Sequence, residues 1–134
     1  MIVKFKKFFN AKLAFLLFVI AAFVGLIYHA LIITQVVPYA NAWGGRLPNL
    51  QAMYVFEIIS VLMQVIFLTI AVLKHRYVGG KKTQKVLTYL LFFLSALLLL
   101  NTVGNVYSTS TFEAIMFTPL TLVMSIVAFR LALE

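Results

Sequence analysis

Four apolar runs, each about as long as a bilayer core is thick, occupy nearly the whole chain and leave it few ways to fold. They cover residues 13–37, 52–73, 86–107 and 112–133, and roughly 20 apolar residues in a helix cross a hydrocarbon core of ~30 Å. Lipid offers no partner to a backbone N–H or C=O, so each run must satisfy its own groups as a helix. Hydrophobic residues make up 64% of the 134 and charged residues only 10%, whereas about a quarter of a soluble chain is charged. A soluble domain is excluded.

The cations give these runs a direction. Lys4, Lys6, Lys7 and Lys12 precede the first run, Lys74, Arg76, Lys81, Lys82 and Lys85 separate the second from the third, and Arg130 ends the fourth. Only Arg46 falls on the other side. Loops rich in Lys and Arg stay in the cytoplasm, so the expected architecture is all-α: an integral membrane four-helix up-down-up-down bundle with both termini cytoplasmic. Residues 1–134 then form a single transmembrane domain, with outer loops at 38–51 and 108–111 and a cytoplasmic loop at 74–85. The one-sided charge argues against insertion in both orientations. The expected location is a bacterial-type inner or plasma membrane, crossed several times.

A net charge of +8 does not make this a nucleic-acid binder. The cations sit at span ends, where anionic headgroups meet them, and no basic, aromatic surface lies outside the membrane. The partners expected are membrane lipids, a small-molecule ligand, and a homo-oligomer or larger membrane complex. Ala40-Asn41-Ala42 fits a signal-peptide cleavage pattern. The apolar run before it is about twice the usual length for such a peptide, so a retained first helix is expected.

Local signals place the element ends. Aromatic residues alternate with lysines from Phe5 to Asn10, which suits an interfacial segment. Tyr39 and Trp43 suit an aromatic belt, Gly44-Gly45 permits a turn with positive φ, and Asn49 can cap the second helix. Gly79-Gly80 turns the cytoplasmic loop, and the third helix is expected to start at Thr83. Ser110 and Glu113 match a capping box, and the short link before them forces a tight hairpin of the last two helices. Pro119 falls in the first turns of the fourth. Ala21, Ala22 and Gly25 allow close helix contact.

The polar residues inside the runs carry the functional reading, because most fall in the outer half. Glu57, Ser60 and Gln64 share one helical face, as do Asn101 and Asn105. An ionisable group facing lipid costs at least about 2.5 kcal/mol, so these faces should turn inward over an apolar plug. The candidate ligand-binding residues are His29, Gln35, Glu57, Ser60, Gln64, Asn101 and Asn105, with Trp43 and Arg46 at the mouth. Glu57 would recognise charge and His29 would exchange a proton with it. The blander readings are a Glu57 pair with Arg46 or with an amide of the third helix, and a His29 that only bridges helices. Glu113 is expected to be a cap.

Several chemistries fail on composition. Without cysteine there are no disulfides, thiolate metal sites or thiol redox. The Glu-x-x-His pairs of di-iron bundles and the His-Glu-x-x-His of zinc proteases do not occur. His29 lies in the outer part of its span and His75 at the cytoplasmic boundary, so the two cannot share a haem. Ser60, a turn from Glu57, has no nucleophile-elbow or oxyanion motif around it. No cofactor or metal is expected, and catalysis is not the favoured reading. The function expected is binding, and in one form transport, of a small or amphiphilic ligand that is cationic or proton-coupled. The alternative is a non-catalytic structural or accessory subunit of a larger membrane complex, its polar residues serving helix packing.

Overall fold

The computed structural model describes residue 6, residues 9–76 and residues 80–134, and the apolar runs become four α-helices. These are α1 (Ala11–Ile33), α2 (Leu50–Arg76), α3 (Lys81–Val106) and α4 (Thr111–Ala132). With 23, 27, 26 and 22 residues, all four are long and apolar enough to cross a membrane. Lys4, Phe5, Lys7, Phe8 and Gly79 lie outside the described residues.

Side chains that can accept from a free backbone N–H open three of the helices. Asn10 Oδ1 accepts from Leu13 N at 2.7 Å, Asn49 Oδ1 from Ala52 N at 2.8 Å, and Ser110 Oγ from Glu113 N at 3.4 Å. α3 starts at Lys81, ahead of Thr83, with extended Gly80 as its cap. Lysine is nearly as good a helix former as leucine, which explains the earlier start. α1 closes at Ile33 although the apolar run continues to Val37. Thr34 Oγ1 turns back to the Ala30 carbonyl at 2.8 Å, and Gln35 takes a left-handed φ of 61°. Pro38 also disfavours helical backbone at the residue before it. α4 continues through Pro119.

α3 and α4 form the most extensive helix pair, α1 packs on both α2 and α4, α2 meets α3 more sparsely, and α2 touches α4 less still. Along the α3–α4 seam the hydroxyls of Ser95 and Ser125 each donate to the other's carbonyl, at 2.9 and 2.8 Å. An apolar cluster including Phe18, Ala22, Leu91, Leu94, Val127 and Leu131 fills the bundle toward the ends that carry most of the lysines. Alanines here let backbones approach, which is how helices gain contact when lipid competes for apolar surface. At that end the buried Arg130 donates to the Phe9 carbonyl and to the Glu134 carboxylate. The Arg130 guanidinium holds the Glu134 carboxyl below the usual carboxylate range. His75 stacks on Phe15 with ring centres 4.2 Å apart.

Candidate functional site

Away from the apolar cluster the bundle opens into a cavity of about 350 Å³, with walls from all four helices and from the α1–α2 loop. Its floor includes Ala21, Leu98 and Met124, which belong to the apolar cluster, and Phe67 and Leu120, which pack against it. The polarity lies above that floor. His29, Glu57, Ser60, Gln64, Asn101, Asn105, Trp43 and Arg46 all line the cavity.

Gln35 does not. Helix α1 ends before it, the backbone turns at its positive φ, and its amide folds back to donate to the Ile32 carbonyl at 2.8 Å.

Glu57 is wholly buried, at 0% exposure. Its Oε2 lies 2.6 Å from His29 Nδ1, and its Oε1 accepts from the Trp43 indole N–H at 2.7 Å. Neither the Arg46 pair nor an α3 amide reaches it. Arg46 instead donates to the Tyr107 carbonyl at 3.1 Å, at the end of α3. A buried carboxylate is tolerated only when paired or well hydrogen-bonded, and among the described residues His29 is its ion-pair partner. The other ring nitrogen of His29 has no hydrogen bond among the described residues, and the side chain keeps 20% exposure.

The second carboxylate, Glu113, is held differently. Its capping-box role is half fulfilled: Ser110 Oγ accepts from Glu113 N, but the Glu113 side chain does not reach back to Ser110 N. It accepts instead from the backbone N–H of Trp43 at 2.8 Å and of Gly44 at 2.6 Å, and from Ser108 Oγ at 3.0 Å. Trp43, Gly44 and Gly45 take φ values of 55°, 67° and 69°. In this turn the successive N–H groups of Trp43 and Gly44 point at one carboxylate and make a small anion-binding nest. Glu113 fills that nest from α4. Thr109 Oγ1 donates to the Gly44 carbonyl, closing the clasp. Trp43 therefore touches both carboxylates, one through its backbone and one through its ring.

The remaining polar groups divide into spent and unspent. Gln64 Nε2 donates to the Ala22 carbonyl at 3.0 Å over buried Gly25, while its Oε1 is buried without a partner. Asn105 Nδ2 donates to Thr121 Oγ1 at 3.2 Å. Ser60 and Asn101 have no hydrogen-bond partner among the described residues. Tyr28, Gly44, Ser108 and Glu113 also line the cavity. For Tyr28 the signal lies in the stripe Ala21, Gly25, Tyr28, Ile32, which repeats at helical spacing and faces the cavity throughout. Among the described residues no group of three His, Asp or Glu is placed to hold a metal ion.

Four apolar helices around a polar chamber define the chain as a small polytopic membrane protein. Comparison with protein-family models, curated proteins and solved structures gives no match to it.

Proposed function

We propose that this protein is an up-down-up-down bundle with both termini cytoplasmic, whose cavity opens to the outer side and binds a small organic cation in exchange for a proton. The distribution of Lys and Arg about the spans supports the orientation. One observation carries the binding reading: a wholly buried carboxylate, Glu57, stands on a cavity wall with a titratable imidazole and an indole N–H as its hydrogen-bond partners. An opposite charge nearby favours the ionised carboxylate. Protonated His29 supplies that charge in the empty site, and an ammonium ion beside Glu57 takes its place as the ring gives up its proton.

The other charged and titratable groups around the cavity leave this exchange to the pair. Glu113 on α4 is committed to its nest, Arg46 in the loop is bound to the Tyr107 carbonyl, and Tyr28 lines the same cavity from α1 with its hydroxyl buried and unpaired among the described residues. The α3 wall contributes Asn101, Gly104 and Asn105. Because binding releases a proton, affinity rises with pH.

The accessory-subunit reading draws on the Ser95–Ser125 seam and the Glu113 clasp, where polar groups serve packing. Glu57 separates the two readings, since packing alone does not require a chamber beside a buried carboxylate.

The test is thermal unfolding of the purified protein with butylamine as the probe. Wild type is expected to gain stability with butylamine, more at pH 8 than at pH 6. Glu57→Gln should weaken the effect at least about tenfold, or roughly 1.4 kcal/mol. His29→Ala should keep binding and lose the pH dependence. No stabilisation of wild type at either pH would remove the binding reading in favour of the accessory one.

A further inference from the structure

We infer that the cavity admits its ligand sideways from the bilayer, between α2 and α3, and that the ligand is a single-chain amine whose hydrocarbon tail stays in that seam. This rests on the cation-binding reading of the same chamber and specifies its substrate class.

Three observations carry it. The α2–α3 contact is the weakest between helices adjacent in the chain that are joined by a loop, whereas α3 and α4 are sealed along their length. In the gap lies a second hollow of about 280 Å³, lined by Ile59, Met63, Phe67 and Leu97 together with Ser60 and Asn101. Trp43, Ser60, Met63, Phe67, Leu98 and Asn101 line both this hollow and the main cavity, so the two adjoin along a shared wall.

The position of the seam identifies its occupant. Both walls belong to helices apolar enough to span a bilayer, and Ile59 is 53% exposed. What lies against such a surface is hydrocarbon. A polar group in hydrocarbon is costly unless hydrogen-bonded, yet Ser60 and Asn101 stand at this junction with no hydrogen-bond partner among the described residues. A tail in the seam and an ammonium at Glu57 place the atoms next to the head beside these two side chains. A hydroxyl or amide adjacent to the amine would satisfy them. Moving the tail from bilayer to seam changes its surroundings little, so the head confers most of the affinity and the seam confers selection for one chain over two.

The experiment uses the full chain in lipid nanodiscs and dodecylamine carrying a photoactivatable diazirine at mid-chain. After irradiation, adducts are mapped by peptide mass spectrometry. They should concentrate on Ile59, Met63 and Leu97, and unlabelled dodecylamine should compete them away. The double variant Ile59→Phe/Leu97→Phe, at two residues that line the hollow and not the main cavity, narrows the seam and should cut this labelling at least about tenfold while leaving stabilisation by butylamine unchanged. Glu57→Gln should reduce both.

Adducts spread equally over lipid-facing residues such as Phe93 and Ile126, which are also exposed, would overturn the lateral route. So would competition by a two-chain phospholipid as strong as by dodecylamine. The wild-type map decides the matter even where the double variant does not fold. If butylamine stabilises wild type but the map is scattered, only the seam is wrong; if butylamine fails as well, the cation site fails with it.

Discussion

Trp43 is held in a conformation that costs a non-glycine residue about 1–3 kcal/mol, and it stays there because its backbone and indole N–H groups each meet a buried carboxylate. The two glycines after it share the left-handed backbone but differ in surroundings. A methyl on Gly44 would make ordinary contacts, the nearest at 3.5 Å, whereas one on Gly45 would lie 2.7 Å from Thr109 Oγ1. Gly44→Ala should therefore cost the backbone penalty, about 1–2 kcal/mol. Gly45→Ala should cost more, because it also displaces the hydroxyl that holds the Gly44 carbonyl. Chemical unfolding followed by the fluorescence of Trp43, the single tryptophan, ranks the two; equal losses would mean that Thr109 is not part of the clasp. Gly44-Gly45 was readable as a turn from composition. That Trp43 joins them was not, because nothing local favours positive φ in an aromatic residue, and its partners lie 14 and 70 positions away.

Among the elements, the loop between α1 and α2 is fixed to α4 by Glu113 and not by its own sequence. Glu113→Gln replaces an acceptor-only group by one with two N–H donors facing the donors of Trp43 and Gly44. Since hydrogen bonds to a charged partner are worth about 1.5–3 kcal/mol, the variant should lose about 2 kcal/mol and shift Trp43 emission to longer wavelength. Unchanged emission would show that the loop holds its shape without α4. The helices themselves were legible as apolar runs, with Asn49 and Ser110 at the starts of α2 and α4, whereas Asn10, read as the end of an interfacial segment, caps α1. The end of α1 was not, because Val36 and Val37 extend the apolar run past the point where Thr34 and Gln35 turn the backbone. Gln35 left the chamber for that reason. The capping-box pattern at Ser110 and Glu113 misled in a similar way, naming a near partner for a carboxylate that a distant pair of N–H groups had taken.

For the whole molecule, periodicity and charge were enough to gather Glu57, Ser60 and Gln64 on one face, and the bundle then sets them with His29, Asn101 and Asn105 around one cavity. Which of those polar groups are spent on packing and which remain open could only come from three dimensions. Gln64 and Asn105 are bonded across helix seams, while Ser60 and Asn101 stand at the sparse α2–α3 contact. The central claim is that Glu57 holds a cation in that chamber. Native mass spectrometry of the protein released gently from membranes tests it most directly. The account predicts a single-chain amine retained one-to-one by wild type and lost from Glu57→Gln; bulk phospholipid alone on both proteins, with no amine on either, would contradict it.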